Sequence, residues 1–293
     1  MLDKIREEAT SLLEDGFTLQ DGSRYFACLV AVKGDAPAIA KAGNLDRNFQ
    51  NLGNPLCPEC LAGAPGVPFE DCYFSASSIV LIAELGYWNS DSNNFDDVME
   101  RAYEDFAHYV KHDFRGGGVP HLKHFTRTNL HYPRTSSFPY MRPKGSDIML
   151  LTRWLGFLML HGPLLGGARS NGNMIDNPLD ASHAGFFRNI SAASTAAAKF
   201  FRVIHNRGLW LSREYAQQVK GATLQFAEAY SQLAMQCHTE GRARYSLVPS
   251  FHYWHHFYVD AKRQLRDPTR QYLLSASIGS CEADEDFIGK VSQ

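Results

Sequence analysis

Four helical patterns fill most of the second half of the chain, at residues 147–161, 181–206, 212–238 and 250–264. Another helical pattern covers "FDDVMERAYEDFAHYVKHDF" and ends at Gly116. Apolar residues in such patterns recur at the spacing that places them on one face of a helix. Helices of this kind bury their apolar faces against one another, so the sequence predicts a predominantly α-helical protein.

β-structure is predicted only near the start of the chain. A helix over residues 2–15 is expected to end at Gly16, and "FTLQDGSRYFACLVAVKG" then predicts two strands. Asp21-Gly22 between them is a strong signal for a two-residue hairpin turn. A lone hairpin is marginally stable, so these strands either pack on the helices or belong to a sheet whose other strands are missing from this chain. We favour the sheet, and an α+β fold that is predominantly α.

Composition and the absence of certain motifs exclude several classes of protein. The 293 residues are 44% hydrophobic, enough for a sizeable core, and the formal net charge is −2. Six cysteines in a chain of this length do not indicate a disulfide scaffold, so we expect a reducing intracellular compartment, nuclear or cytoplasmic. No stretch approaches the roughly 20 apolar residues of a membrane span, and no signal peptide is present. Without a P-loop or G-x-G-x-x-G, no nucleotide cofactor is expected.

Asp35 ends the second predicted strand, within "VAVKGDAPAIA". A carboxylate at such an edge could hold a hard cation such as Mg²⁺, which prefers oxygen ligands. The competing interpretation is a helix N-cap, because Pro37 suits the first turn of a following helix. Local chemistry alone favours the cap.

Cys57 and Cys60 form a C-x-x-C motif whose spacing lets two thiolates bind one Zn²⁺ from a tight turn. The candidates for the remaining ligands are Cys72, His252, His255 and His256. His252 and His256 stand four residues apart on one predicted helical face, and His252 with His255 is the alternative pair. Without a metal, the cysteines would be buried thiols or a redox pair, and the histidines would belong to an aromatic-rich core helix.

Two stretches without acidic residues carry arginine and lysine, one between Asp113 and Asp147 and one between Asp180 and Glu214. Aromatic residues are interleaved with the basic residues of the first stretch. Basic residues beside stacking groups suit nucleic-acid contacts, whereas the alternative is a loop whose charges pair with acids elsewhere. The residues predicted to contact nucleic acid are Lys123, Arg127, Arg134, Arg142, Lys144, Arg202 and Arg207.

An acidic cluster lies close to the end of the sequence. Its members are Glu282, Asp284, Glu285 and Asp286. Such a cluster is usually a solvated turn. Its position before "FIGKVSQ" also allows a carboxylate at the start of a helix, directed at a metal ion.

The order of these motifs resembles that of CACTA/Plavaka-type DDE transposases. In that family a strand ends in "GD-x-P-A" and a C-x-x-C follows, as in "VAVKGDAPAIA" and "CPEC" here. "YSLVPSFHYWHHF" resembles the family's histidine-bearing helix, and "CEADEDFIGKV" resembles its terminal acidic segment. The resemblance covers both ends of the chain strongly and the middle weakly.

The resemblance implies an RNase H-like domain with three carboxylates, interrupted by a helical insertion. Residues 1–75 and 246–293 would form the partial RNase H-like part, and residues 76–245 the insertion. Asp35 would be the second carboxylate and Glu285 the third, with Glu282, Asp284 and Asp286 as competitors. Two Mg²⁺ ions would activate water and then a 3′-hydroxyl for attack on phosphodiesters. DNA is the implied partner, and a homo-oligomer is compatible with this family.

The chain departs from the family at the first carboxylate. Only 34 residues precede Asp35, and Asp3, Asp15 and Asp21 lie on a predicted helix, a helix end and a turn. We therefore expect a partial or inactive transposase-derived protein that binds DNA. The alternatives are a non-catalytic, zinc-stabilised helical module that binds nucleic acid or protein, and an unrelated helical interaction protein.

Overall fold

The computed structural model describes residues 10–12, 14–25, 74–88, 94–114, 120–141, 145–161, 183–246 and 249–276. The chain divides into two compact units, one formed by residues 1–69 with 276–293 and the other by residues 70–275. Helices dominate the described residues, so the predicted predominance of α-structure is confirmed. Within those residues the strands form two separate two-stranded ribbons and no larger sheet, so an RNase H-like fold is not confirmed.

The described part of the first unit contains the predicted hairpin. It consists of the antiparallel strands β1 (Phe17–Thr18) and β2 (Arg24–Tyr25). The predicted two-residue turn is wrong, because the Leu19 amide donates to the Ser23 carbonyl at 2.9 Å and encloses three residues. Gly22 takes φ +85°, and the Asp21 carboxylate accepts from the Ser23 amide at 2.9 Å. These features are typical of a three-residue hairpin loop with a glycine in the left-handed conformation.

The second unit is a helical assembly with one short ribbon. Its elements are α1 (Phe74–Glu84), α2 (Phe95–His108), a π-helix (Tyr109–Asp113), α3 (Gly145–His161), α4 (Ala184–Asn206), β3 (Trp210–Ser212), α5 (Arg213–Thr239), α6 (Pro249–Leu265) and β4 (Tyr272–Leu274). The predicted helices correspond to α2 to α6, within a few residues at their ends. The prediction that β-structure is confined to the start of the chain is wrong, because β3 and β4 pair with each other.

Aromatic side chains fill much of the core between these helices. α4 packs against α3 and α5, and α5 packs against α6. Trp254 of α6 stacks on Phe226 of α5, with ring centroids 4.3 Å apart, and lies 4.8 Å from Phe200 of α4. Large aromatic rings bury the most apolar area per residue, so these contacts fix how the three helices meet.

The long apolar stretch that begins at residue 148 forms α3, a helix of the core. Leu151, Trp154 and Leu155 on it are completely buried. No helix in the described ranges is long and apolar enough to cross a membrane.

The segment 120–141 lacks regular structure, yet hydrogen bonds tie it to the helices. The carboxylate of Asp147, at the start of α3, accepts from the backbone amides of His121 and Leu122 at 3.0 and 3.2 Å. Asp147 is 1% exposed to solvent. Because a buried carboxylate is stable only when its oxygens are hydrogen-bonded, these contacts hold the segment against α3.

Arg244 forms a buried ion pair with Glu84 at the end of α1. Its side chain is 2% exposed and that of Glu84 is 20% exposed. The guanidinium also donates to the Tyr132 hydroxyl and to the Thr135 carbonyl, the latter at 3.2 Å. Tyr132 in turn donates to Glu84 at 3.0 Å, and burial raises the pKa of Tyr132 to about 12. This network joins α1, segment 120–141 and the connection between α5 and α6.

Tyr245, the next residue, has φ +52°, which is uncommon for a bulky side chain. Two serines of α1 hold it in place. Its amide donates to Ser77 Oγ at 3.3 Å, and its hydroxyl lies 3.0 Å from Ser78 Oγ. The left-handed backbone is therefore maintained by contacts with a different helix, which fixes the chain direction between α5 and α6.

We expect Arg244→Met to lower the free energy of unfolding by about 1–3 kcal/mol, because the buried Tyr132 hydroxyl and the Thr135 carbonyl lose a donor, while Glu84 keeps only Arg242, at 3.6 Å, as a cation. Urea unfolding monitored by circular dichroism measures the change. Arg263→Met is the matched control, since Arg263 forms an exposed pair with Asp260 and should cost no more than about 0.5 kcal/mol. Equal unfolding midpoints for the two variants would show that the buried pair is dispensable.

Candidate nucleic-acid interface

The ribbon formed by β3 and β4 has one buried face and one exposed face. Leu211 pairs with Leu273 and both side chains are 2% exposed. Because successive side chains of a strand point to opposite faces, Trp210 and Tyr272 lie on the outer face. They are 59% and 64% exposed. Two large aromatic side chains thus stand in solvent on a ribbon that is anchored by leucines beneath it.

Arg213, the first residue of α5, holds the connection between α6 and β4 in place. Its guanidinium donates to the carbonyls of Leu265, Asp267 and Arg270 at 2.9, 2.7 and 3.0 Å. Five fixed donors make arginine suited to gathering several acceptors at once. The orientation of β4, and hence of Tyr272, depends on this contact.

Further hydrogen bonds attach β4 to its neighbours on both sides. Gln264 of α6 donates to the Leu274 carbonyl at 3.3 Å and accepts from the Leu274 amide at 2.7 Å. The Ser275 amide donates to the Leu209 carbonyl at 2.8 Å, which extends the pairing beyond β3. Most backbone N–H and C=O groups at the end of β4 therefore have a hydrogen-bond partner in the protein rather than in solvent.

The helix ends next to the ribbon are rich in arginine and lysine. Segments 199–215 and 260–272 contain eight basic and three acidic residues, against a net charge of −2 for the whole chain. The basic residues are Lys199, Arg202, Arg207, Arg213, Lys262, Arg263, Arg266 and Arg270. The end of α4 packs against α6 through Phe200, which contacts Trp254 and Phe257. The two basic segments therefore lie at the same end of the helical unit.

Some of these basic side chains form ion pairs or lie over aromatic rings, and others form no ion pair within the described residues. Arg263 pairs with Asp260 at 2.8 Å, and the Arg207 guanidinium lies 4.3 Å from the centre of the Tyr215 ring. Arg202 and Arg266 are exposed, and neither pairs with an acidic residue in the described part of the chain. Exposed guanidinium groups of this kind attract phosphates, which they can contact through two parallel hydrogen bonds.

Asp267 remains a carboxylate within this basic region. Hydrogen bonds from the hydroxyl and the amide of Thr269, at 2.6 and 3.0 Å, hold the pKa of Asp267 below its usual value. Arg270 pairs with it at 3.3 Å. The acid thus shapes the turn before β4 and orients Arg270 at the edge of the ribbon.

The first predicted basic stretch differs from the second. Lys123 and Arg134 are exposed, but Arg127 lies 4.1 Å from the centre of the Phe95 ring and 3.7 Å from the Asp96 carboxylate. Arg127 therefore serves partly to hold segment 120–141 on α2. Two further predicted contact residues, Arg142 and Lys144, lie outside the described residues. Among the predicted residues that the structure describes, Arg202 and Arg207 lie on or next to the end of α4, in the segment that leads into β3.

Most of the predicted metal and catalytic residues lie outside the described residues. They are Asp35, Cys57, Cys60, Glu285 and Asp286. His252 lies in α6 but its side chain is also outside the described set, whereas His255 is exposed and His256 is half-buried. The described residues contain no group of three side chains that could hold a metal ion. The zinc and magnesium sites therefore stay predictions.

Sequence reasoning missed the two exposed aromatic residues and one pair of histidines. Trp210 stands between two leucines in "LWLS", and Tyr272 precedes two leucines in "QYLL"; both segments are too short to predict a strand with one buried and one exposed face. His108 and His112 stand four residues apart across the junction of α2 and the π-helix, with ring centroids 4.5 Å apart. Their spacing in "HYVKH" places two such side chains on one helical face.

Arg213→Ala should loosen the ribbon without unfolding the helices, because it removes all three hydrogen bonds to the α6–β4 connection. We expect faster amide hydrogen exchange at residues 266–274 and a loss of about 1–3 kcal/mol in the free energy of unfolding. Hydrogen exchange with mass spectrometry gives both positions and rates. Arg202→Ala is the control and should leave exchange in β4 unchanged. If both variants exchange like the wild type, Arg213 does not position the ribbon.

No protein-family model, curated protein sequence or solved structure matches this chain. Its function therefore has to be inferred from the geometry and charge of its own residues.

Proposed function

We propose that this chain binds nucleic acid through the basic end of its helical unit, at the surface formed by β3, β4 and the ends of α4 and α6. The observation that carries the proposal is a set of exposed side chains at this end: Arg202 on α4 and Arg266 after α6, which form no ion pair within the described residues, and Trp210 and Tyr272 on the ribbon. Phosphate contacts supply most of the affinity in such complexes, and stacking on aromatic side chains adds to it.

Local charge is what makes this surface attractive to a polyanion. The chain as a whole is slightly negative, so attraction cannot come from the overall balance. The excess of basic residues in segments 199–215 and 260–272 concentrates positive charge at one end of the unit. Charges within about 10 Å of a phosphate act on it at 0.1 M salt, whereas the acids elsewhere are largely screened.

We further propose that the chain descends from a DDE transposase, and this part of the proposal rests on the sequence motifs. It assigns an RNase H-like fold to the regions that flank the helical unit, with Asp35, Glu285 and Asp286 as carboxylates for Mg²⁺ and a Zn²⁺ site at Cys57 and Cys60. Two aspartates that could have supplied the first carboxylate have other contacts. Asp15 accepts from Ser11 Oγ at 2.9 Å, and Asp21 is bonded within the hairpin turn.

Replacing Arg202 and Arg266 together tests the binding surface. We expect Arg202→Glu with Arg266→Glu to weaken binding of a fluorescent DNA oligonucleotide by at least tenfold at low salt, because two phosphate contacts become repulsive. The slope of log affinity against log salt should also become shallower by about one to two units. Fluorescence anisotropy over a series of salt concentrations measures both quantities.

Lys123→Glu with Arg134→Glu is the matched control, since it reverses two exposed charges on segment 120–141. Wild-type affinity for this control, with a large loss of affinity for the Arg202 and Arg266 variant, would assign binding to the surface formed by β3, β4 and the ends of α4 and α6, called the ribbon end below. The reverse result would move the surface to segment 120–141. A chain that binds no nucleic acid even at low salt is not a nucleic-acid-binding protein.

A plasmid assay tests the catalytic part of the transposase proposal. We expect this chain to bind supercoiled plasmid in the presence of Mg²⁺ without nicking it, since Asp15 and Asp21 are engaged in local contacts. Gel electrophoresis distinguishes nicked from supercoiled DNA. Nicking that requires Mg²⁺ and disappears in Asp35→Asn, but persists in Asp21→Asn, would instead establish a complete catalytic site that includes Asp35.

A further inference from the structure

We infer that the ribbon end binds single-stranded nucleic acid, with one base stacked on Trp210 and another on Tyr272. This inference rests on the proposed function and adds the form of nucleic acid that the surface takes. The two rings are the most exposed aromatic side chains of the ribbon. Stacking on such rings requires the faces of the bases, which are free in a single strand and covered in a duplex.

The register of the ribbon sets the separation of the two rings. Ser212 pairs with Tyr272 and Leu274 pairs with Trp210, so the two aromatic residues are diagonal neighbours on the outer face. Diagonal neighbours in antiparallel pairs lie about 7–8 Å apart. Successive bases in a duplex strand are spaced by about 3.4 Å along the axis. The rings therefore suit an extended strand whose bases have separated from one another.

Both rings stand on a support that cannot easily collapse. Leu211 and Leu273 fill the space beneath the ribbon, and Arg213 fixes the approach to β4. A rigid aromatic platform loses little conformational entropy when a base stacks on it. The same support keeps the rings exposed in the free protein, where burial against the core would otherwise be favourable.

An arginine precedes each ring in the sequence, just outside the strand that carries the ring. Arg207 precedes Trp210 by three residues, and Arg270 precedes Tyr272 by two. Arg207 is exposed, and so is Arg270. Arg207 also lies over the Tyr215 ring and Arg270 also pairs with Asp267, so a phosphate next to a stacked base would share these guanidinium groups with those partners. Exposed aromatic rings can also dock a protein, but the surrounding basic excess favours a polyanionic partner.

The ribbon offers little with which to read the sequence of bases. Between the two rings on the outer face the register places Ser212 and Leu274, and both are half-buried. Every base has a π-face, so stacking tolerates all sequences, whereas discrimination requires hydrogen bonds to base edges. We therefore expect similar affinities for single strands of different sequence.

The test compares a single-stranded oligonucleotide of mixed sequence with the duplex of the same sequence, by fluorescence anisotropy at one salt concentration. Trp210→Ala and Tyr272→Ala should each weaken single-strand binding by about tenfold. Duplex affinity should change by less than about twofold, since phosphate contacts with the arginines remain. Phe138→Ala is the matched control, because Phe138 is an aromatic residue of segment 120–141 that is 47% exposed.

Conservative variants separate stacking from a loss of folding. Trp210→Phe and Tyr272→Phe keep an aromatic ring and should retain most of the single-strand affinity, and circular dichroism confirms that the alanine variants keep their helices. Equal losses on single strands and duplexes would overturn the inference, and so would wild-type single-strand affinity in both alanine variants. If the Arg202 and Arg266 reversal weakens binding while the ring variants do not, the proposed function stands and the stacking inference fails. Absence of binding to either form removes both.

Discussion

The buried pair of Arg244 and Glu84 is the contact on which the arrangement of the helical unit depends. Burying two charges is costly, and the cost is offset only when every donor and acceptor has a partner. Here the guanidinium reaches α1, the Tyr132 hydroxyl and carbonyls of segment 120–141 in a single network. The network therefore fixes α1, segment 120–141 and the connection between α5 and α6 relative to one another. The connection that enters α6 leaves directly from this network, through Tyr245 in its left-handed conformation.

α6 connects the region of the buried pair to the β3–β4 ribbon, because it begins just after Tyr245 and ends just before β4. The helix is fixed along its length by Trp254 against Phe226, and it ends where Arg213 gathers the carbonyls of the turn before β4. A two-stranded ribbon of three residues per strand is not stable by itself. Its geometry comes from the helices around it, and this explains how such a short element can present two exposed rings in a defined position.

The sequence predicted what depends on local pattern and missed what depends on tertiary contacts. Helices α2 to α6 follow from apolar periodicity, and the first hairpin follows from Asp21-Gly22, although its loop is longer by one residue. α1 was not recognised because it is buried all round, so no polar face marks it as a helix. β3 and β4 were missed because three residues are too few to show alternation. Charge alone predicted Arg202 and Arg207 as contact residues, and this stays a prediction, whereas the rings of Trp210 and Tyr272 became apparent only from their exposure.

The use of arginine shows why charge along a sequence only partly locates a binding surface. Arg244 pairs with Glu84 at the end of α1, Arg213 binds backbone carbonyls, and Arg127 covers an aromatic ring next to an acid. Each of these arginines contributes a positive charge to the sequence, yet each one contacts other residues of the protein. The charges available to a partner are those that remain after these structural roles are filled, as with Arg202 and Arg266. Because the segments that carry both arginines lead into the ribbon with the exposed rings of Trp210 and Tyr272, this end of the unit combines exposed cations with exposed aromatic side chains, the two properties that suit a flexible polyanion with planar groups.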